Sequence, residues 1–298
     1  MAPSMAGRRG LVMGVANDHS IAWGIAKRLA SEGAAIGLTY QNDQFGRRVR
    51  PLADSIGAPF LVPCDVEDSA SVADVFETAA RHWPSLDFFV HAVAFSDKNE
   101  LKGRYADTSR DNFVRTMVIS CYSFTECARH AAALMTGGGA MLTLTYGGSS
   151  KVMPNYNVMG VAKAALESSV RYLAADFGGD NVRVNAISAG PVRTLAGAGV
   201  TDARFMFNYQ RKHAPLGRTV SIDEIGGTAL YLLSDLSSGV TGEVHFVDCG
   251  YNVMSMPKID ALKAEERREK VEERREKVEE VIEERGEDPE ALAHAATH

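Results

Sequence analysis

Cysteine is scarce in this sequence and is never paired at metal-binding spacing. The 298 residues contain four cysteines, Cys64, Cys121, Cys127 and Cys249, and no C-x-x-C pair. Structural zinc sites and disulfide frameworks need cysteines that are numerous or closely spaced. We therefore expect no metal site and no disulfide framework, and we expect four reduced thiols.

Long hydrophobic runs are also missing. No stretch approaches the roughly 18 apolar residues of a membrane-spanning helix. The N-terminal segment MAPSMAGRRG carries two arginines, but only a brief apolar run follows before Asn17 and Asp18. A secretory signal needs a longer apolar segment. These absences predict a cytoplasmic protein without a membrane span.

A surplus of basic residues is absent as well. The formal net charge is −6. Residues 258–298 hold 9 lysines and arginines against 14 aspartates and glutamates, so this tail carries −5 and the preceding 257 residues only −1. Nucleic-acid binding requires a basic surface. We therefore expect no nucleic-acid partner.

The first apolar run is followed by a loop with too few glycines. A dinucleotide-binding turn usually has the pattern G-x-G-x-x-G, but GVANDHSIAWGIA has only Gly14 and Gly24. Gly14 can reverse the chain, and the helix beginning at Ile21 can direct its N-terminus at a phosphate. Ser20 is suited to cap that helix and to offer its hydroxyl to a phosphate. By itself this loop is equally compatible with a structural turn.

Continuously apolar segments of strand length alternate with helical patterns. Strands that are covered by helices on both faces have this character. The pattern predicts a single-domain, Rossmann-type α/β fold with a doubly wound, parallel, seven-stranded sheet. The predicted strands are residues 10–16, 35–40, 60–66, 87–95, 140–146, 182–190 and 243–250, and the predicted helices lie near 21–33, 69–82, 111–135, 155–178 and 221–234.

Ligands of such sheets bind at the carboxyl ends of the strands. Tyr146 ends the fifth predicted strand, before Gly147 and Gly148. The sixth strand runs into a loop rich in small residues, which we expect to form a lid near 191–213.

The segment YNVMGVAK places Tyr156 seven residues before Lys163. This spacing is close to two helical turns, so both side chains should share a face. A neighbouring ammonium favours the phenolate, and we expect Lys163 to strengthen Tyr156 as a proton source. An amphipathic helix with a surface lysine would have the same spacing.

Together these segments resemble a known family. GVANDHSIAWGIA, LTLTY, PNYNVMGVAKAALE and VRVNAISAGPVRTLA closely resemble the NADH-dependent bacterial enoyl-(acyl-carrier-protein) reductases of fatty acid synthesis. These enzymes are divergent short-chain dehydrogenase/reductases, and the resemblance covers about residues 7–256. Ordinary ketoreductases of that superfamily have tyrosine and lysine four residues apart. In the resembled family, the glycine-poor loop is a normal cofactor site.

The resemblance implies roles for individual residues. Tyr156 would hydrogen-bond the thioester carbonyl, Lys163 would hold the nicotinamide ribose, and Tyr146 would be the second tyrosine of the catalytic site. Substrate contacts would be made by Ser96, Tyr146, Tyr156, Met159 and Met206. Cofactor contacts would be made by Gly14, Ser20, Ile21, Gln41, Asp65, Val66, Val93, Lys163, Val192, Arg193, Thr194, Leu195 and Ala196.

The implied activity is reduction of the trans-2 double bond of enoyl-acyl-carrier-protein by hydride from NADH. NADPH stays open as cofactor because no acidic residue closes the second strand and because Arg47 and Arg48 follow it. Two alternative functions also stay open. One is a 3-ketoacyl-thioester or other carbonyl reductase, and the other is a nucleotide-binding scaffold with a partner-recruiting tail.

The predicted domain organisation is a reductase domain over residues 1–257 and a charged helical tail over 258–298. The segment EERREKV occurs twice in succession in the tail. Its glutamates and lysines are spaced for i, i+4 pairs, while its single valine per repeat is too little for a coiled-coil seam. We expect a solvated helix that ends at Gly286. The resemblance also implies a homotetramer.

Overall fold

The computed structural model describes residues 4–192, 194 and 203–285. Its chain divides into two compact units, residues 1–252 and 253–298. The first unit contains a seven-stranded sheet, which confirms the predicted fold class. Among the described helices, none is long and apolar enough to cross a membrane. The described residues also hold no group of three or more histidine, cysteine, aspartate or glutamate side chains that could bind a metal ion.

All strand pairs are parallel, and their order in the sheet is β3-β2-β1-β4-β5-β6-β7. The order reverses between β1 and β4, which creates a crevice at their carboxyl ends. The strands are β1 (Arg9–Met13), β2 (Ala35–Tyr40), β3 (Leu61–Pro63), β4 (Phe88–His91), β5 (Gly139–Thr145), β6 (Val182–Ala189) and β7 (Val244–Val247).

Helices cover both faces of this sheet. In the first unit they are α1 (Ile21–Ser31), α2 (Asp43–Ser55), α3 (Ser69–His82), α4 (Arg110–Met117), α5 (Ser123–Leu134), α6 (Asn157–Phe177), α7 (Ala203–His213) and α8 (Ile222–Leu233). A π-helical segment, Val118–Tyr122, joins α4 to α5 within the predicted 111–135 helix.

Successive strand residues supply two separate cores. Phe88 packs with the residues of α1 and α8, whereas Phe89 packs with those of α3, α5 and α6. This alternation follows from the pleat of a strand, which sends neighbouring side chains to opposite faces. Gly24 of α1 lets α8 approach closely, because a Cβ at this position would lie 3.0 Å from the Cβ of Ile222.

Strands β1, β3, β4 and β7 are shorter than the sequence predicts. The predicted 87–95 strand ends at His91. Beyond it the chain leaves the sheet, and the backbone N–H and C=O of Phe95 both bond to the Ser120 hydroxyl instead of a neighbouring strand. The residues after His91 are therefore apolar although they lie outside the sheet, because this loop packs against the π-helical segment that contains Ser120.

Helix α2 was not predicted. It contains Gly46 and Pro51, which ordinarily interrupt helical patterns. Two features offset the destabilising effect of Gly46 and Pro51 on this helix. The Asn42 side chain accepts hydrogen bonds from the backbone N–H groups of Gln44 and Phe45, at 3.1 and 3.3 Å. Val49 and Ala53 are buried on one helical face.

The second unit contains helix α9 (Ile259–Arg285). Lys270 donates to Glu266 at 2.6 Å, the i, i+4 pairing that the repeat predicts. Val271 is exposed. The predicted end at Gly286 lies outside the described residues, and the predicted domain boundary at residue 257 stays a prediction.

One histidine is fully buried in the sheet. The Nε2 atom of His91 lies 2.9 Å from the Ser123 hydroxyl oxygen. That hydroxyl donates to the Ile119 carbonyl at 2.6 Å, so Nε2 carries the proton of the neutral ring. Burial lowers the pKa of His91 from 6.5 to about 3, and the nearby Lys163 ammonium contributes to this shift.

His91 should make the protein sensitive to mild acid. Because its pKa is lower in the folded state, the unfolded chain takes up the proton first. The contribution of His91 to the unfolding free energy is fully present above about pH 6.5. It is lost as the pH falls towards 3, at up to about 1.4 kcal/mol per pH unit. Urea unfolding between pH 6.5 and 5 should show a shallower loss of stability in His91→Asn.

His19→Asn is the matched control, because His19 is an exposed histidine. It should keep the pH dependence of the unsubstituted protein. Equal slopes for the unsubstituted protein and His91→Asn would show that His91 does not cause the acid sensitivity.

Candidate active site

The loop after β1 is shaped by one glycine. Gly14 has a φ of +98°, and a Cβ there would lie 2.2 Å from the carbonyl oxygen of Ala92. No side chain fits between this loop and the end of β4. Gly14 therefore lets the loop pass directly beside β4 at the crevice.

Ser20 lies at the N-cap of α1, but its side chain does not cap the helix, so that expectation was wrong. The Ser20 hydroxyl instead donates to the Asn17 carbonyl at 2.6 Å. It is oriented by the loop, not by the helix. The first backbone N–H groups of α1, including that of Ile21, thus have no side-chain acceptor and can bind an anion such as a pyrophosphate.

The predicted adenosine contacts lie at the ends of β2 and β3. Gln41 directly follows β2 and is exposed. The backbone N–H of Cys64 donates to the Tyr40 carbonyl at 2.8 Å, which holds the following Asp65 and Val66 beside the end of β2. A carboxylate oxygen of Asp65 accepts the backbone N–H of Glu67 at 3.0 Å.

Other predicted cofactor contacts follow β4 and β6. Val93 is half-buried and packs on the core below α5. The backbone N–H of Thr194 donates to the carbonyl of Val192 at 2.9 Å. Arg193, Leu195 and Ala196 lie outside the described residues, as does part of the predicted lid. The rest of the lid segment includes helix α7.

Tyr146 and Tyr156 meet edge to face. Their ring centroids are 5.1 Å apart and the ring planes differ by 70°. Tyr146 follows β5, whereas Tyr156 immediately precedes α6 between two asparagines in left-handed backbone conformations, Asn155 and Asn157. Asparagine tolerates this conformation better than most residues. The sequence Asn-Tyr-Asn therefore suits the backbone conformation on either side of Tyr156.

Lys163 does not act on Tyr156 as we expected. Lys163 is buried, and its ammonium donates to the backbone carbonyl of Leu144 at 2.9 Å. Burial lowers the pKa of Lys163 to about 8. The pKa of Tyr156 is raised, first by burial and then by Tyr146 and Glu167. Tyr156 therefore stays protonated, and the expected shift towards phenolate was wrong.

Sequence reasoning missed Glu167, one helical turn beyond Lys163. Its carboxylate accepts the Thr145 hydroxyl at 2.6 Å. It raises the pKa of Tyr156 and also that of Lys163, against the larger effect of burial. The i, i+4 spacing of lysine and glutamate was a signal that could have revealed it.

Gln210 of α7 is a second residue that the sequence analysis missed. It is buried, and its amide donates to the Tyr146 hydroxyl at 2.6 Å. Burial raises the pKa of Tyr146, and this hydrogen bond opposes the rise. A cavity of about 260 Å³ adjoins both residues and is also lined by Ser188, Asp248 and Tyr251. No sequence signal links Tyr146 to a helix some sixty residues away.

The predicted substrate contacts have different surroundings. Met159 packs with Tyr156, Leu101 and Val158. Met206 is half-buried on α7. The hydroxyl of Ser96 is held by α4, because it accepts a hydrogen bond from Thr116 at 2.9 Å and lies 3.2 to 3.3 Å from the Asn112 amide. Ser96 thus anchors its loop.

Comparison with known proteins gives consistent matches. The family profile described as enoyl-(acyl carrier protein) reductase matches residues 14–252. The enoyl-(acyl-carrier-protein) reductase (NADH) 2 of Rhizobium meliloti strain 1021 is 66% identical over 262 residues, covering 88% of this chain and 98% of the relative.

Two solved structures are similar throughout their length. FabI from Candidatus Liberibacter asiaticus has a TM-score of 0.85 at 59% identity, covering 87% of this chain and all of the other. The enoyl-(acyl-carrier-protein) reductase of Anaplasma phagocytophilum, solved in complex with NAD, has a TM-score of 0.84 at 56% identity, covering 87% and 99%.

The packing around Tyr156 makes a testable distinction between two adjacent glycines. A Cβ at Gly148 would lie 2.5 Å from the Tyr156 ring, whereas a Cβ at Gly147 would meet only the end of Met153, at 3.6 Å. Gly148→Ala should therefore lower the unfolding free energy by about 1 to 3 kcal/mol through overpacking. Gly147→Ala should change it little.

Urea unfolding measures the stability of both variants, and near-ultraviolet circular dichroism reports the tyrosine environment. The spectrum should change in Gly148→Ala and stay the same in Gly147→Ala. Equal stability and equal spectra for the two variants would mean that Gly148 does not set the position of Tyr156.

Proposed function

The chain belongs to the enoyl-(acyl carrier protein) reductase family and is an NADH-dependent enzyme of fatty acid synthesis, and from this premise we propose how its residues divide the reaction. The substrate is an enoyl thioester of acyl carrier protein. When bound, NADH supplies the hydride that adds to the β-carbon of the trans-2 double bond. The residues of the chain bind and orient both partners and stabilise the charge that develops on the thioester oxygen.

The residues at the crevice fit a dinucleotide. The N-terminus of α1 has backbone N–H groups without a side-chain acceptor, and Gly14 keeps the approach to it clear. These features suit the pyrophosphate. Gln41, Asp65 and Val66 would contact the adenosine half, and Val93, Val192 and Thr194 would lie along the nicotinamide side. Lys163 would hold the ribose hydroxyls.

The observation that carries the assignment of Tyr156 is its raised pKa beside Tyr146. A phenol that stays protonated can donate its O–H to the thioester carbonyl oxygen. That hydrogen bond strengthens as negative charge develops on the oxygen, so it stabilises the transition state more than the ground state. Tyr146 lines the same site, with its hydroxyl oriented by Gln210.

The two alternatives drawn from the sequence have less support. None of the relatives reported above is named as a ketoacyl reductase. The described catalytic residues are intact, which a scaffold would not require. NADPH would need a place for its 2′-phosphate near Gln41, and the features that favour it are the exposed Arg47 and Arg48 and the lack of an acidic residue at the end of β2.

Tyr156→Phe should separate these functions. We expect NADH oxidation with a trans-2-enoyl thioester to slow about a hundredfold or more in this variant, because one preorganised donor is lost. The loss of reduced-nicotinamide absorbance measures the rate. Tyr105→Phe is the matched control, since Tyr105 is an exposed tyrosine that belongs neither to the proposed site nor to the proposed subunit interface, and it should keep full activity.

Turnover of a 3-ketoacyl thioester alone would overturn enoyl reduction. Full activity of Tyr156→Phe would instead show that another group stabilises the developing negative charge. Both outcomes would leave NADH binding unaffected. A parallel binding titration therefore distinguishes them from a loss of activity that is caused by impaired NADH binding.

We also propose that the enzyme assembles as a homotetramer. Val161 and Tyr172 lie about three turns apart on one face of α6, and both are exposed. Tyr122, in the π-helical segment that packs against α6, is exposed as well. Exposed apolar residues clustered on packed helices are typical of subunit interfaces.

Tyr172→Glu should therefore reduce the molar mass measured by light scattering, because it introduces a charge into the interface. Tyr105→Glu makes the same change at an exposed tyrosine outside α6, and it should leave the mass unchanged. A monomeric unsubstituted enzyme, or a Tyr172→Glu variant of unchanged mass, would contradict the proposal.

A further inference from the structure

Arg115 of α4 joins two loops at the mouth of the crevice. Its Nε and Nη2 atoms donate to the two carboxylate oxygens of Glu67, at 2.9 and 2.8 Å. The guanidinium carbon also lies 4.6 Å from the ring centroid of Phe95. Glu67 belongs to the loop after β3, and Phe95 belongs to the loop after β4.

Both loops carry residues that the proposed function assigns to the cofactor. Glu67 is next to Val66, and its backbone N–H donates to Asp65 at 3.0 Å. The loop after β4 carries Val93 two residues before Phe95. A displacement of Glu67 would therefore move the Asp65–Glu67 turn directly.

The geometry of the Arg115–Glu67 contact fixes the position of Glu67 more than the attraction between the two charges does. Arg115 and Glu67 are both partly exposed, and exposed ion pairs usually contribute little. Here, however, the guanidinium is fixed in two ways, by a bidentate carboxylate and by an aromatic ring. Lysine can reproduce the charge but neither the fork nor the planar stacking.

We propose that Arg115 is a positioning residue for the adenosine half of the cofactor. It holds the Asp65–Glu67 turn in its binding conformation through Glu67, and Phe95 fixes the plane of the guanidinium. The inference rests on the proposed function, because that places adenosine against Asp65 and Val66. Arg115 itself makes no step of the reaction.

The test is equilibrium binding without turnover, measured by calorimetry. We expect Arg115→Lys and Arg115→Met to raise the Kd of NADH about three- to tenfold. The Kd of ADP-ribose, which lacks nicotinamide, should rise to the same extent. Reduced nicotinamide mononucleotide, which lacks adenosine, should bind with unchanged Kd. Arg110→Met is the matched control on the same helix and should bind all three compounds normally.

A double substitution tests the route through Glu67. In a Glu67→Gln background, Arg115→Met should weaken NADH binding less than it does alone, because the contact it removes is already impaired. Equal effects in both backgrounds would overturn the role of Glu67.

Two other outcomes would overturn the proposal. An unchanged Kd for NADH in both Arg115 variants would show that the residue does not position the cofactor. Equal weakening of NADH and of the mononucleotide would show a disturbance of the whole site. If NADH does not bind the unsubstituted protein, the proposed function fails instead, independently of Arg115.

Discussion

A hydrogen bond from the buried Lys163 ammonium to the Leu144 carbonyl fixes the arrangement of the site. Leu144 lies in β5 and Lys163 in α6, so the bond holds this helix against this strand. Tyr146 follows the strand and Tyr156 precedes the helix. The distance between the two tyrosine rings therefore depends on how α6 sits on β5.

Burying an ammonium has an energetic cost, which the site offsets locally. Desolvation lowers the pKa of Lys163 to about 8, while the carboxylate of Glu167 opposes this effect. Glu167 is itself held by the Thr145 hydroxyl. The same carboxylate raises the pKa of Tyr156. One arrangement of charges thus keeps the lysine largely protonated near neutral pH and the tyrosine a phenol, which is the combination that the proposed roles of the two residues require.

Much of the fold could be predicted from local patterns, because buried parallel strands are continuously apolar. The predicted strand 140–146 agrees with β5 to within one residue at each end. Helix α2 was not predicted, since Gly46 and Pro51 hide a pattern that its cap and its buried face stabilise. Helical spacing predicted that Tyr156 and Lys163 share a face, but spacing carries no information about burial, which is the largest cause of both pKa shifts. The contacts of Gln210 and Arg115 are with residues that are distant in sequence, so no local pattern could indicate them.

The glycine-poor loop shows how the physical requirements of a phosphate-binding turn can be met without its usual glycine motif. The binding turn needs backbone space at one point and an uncapped helix N-terminus at another. Gly14 provides the first, since any Cβ there would overlap the Ala92 carbonyl. Ser20 provides the second by bonding to Asn17 instead of the helix. Close packing, the role of the third glycine of the usual motif, is met by Gly24, although against α8. The physical requirements are therefore satisfied at different positions, and a search for glycine spacing alone would overlook them.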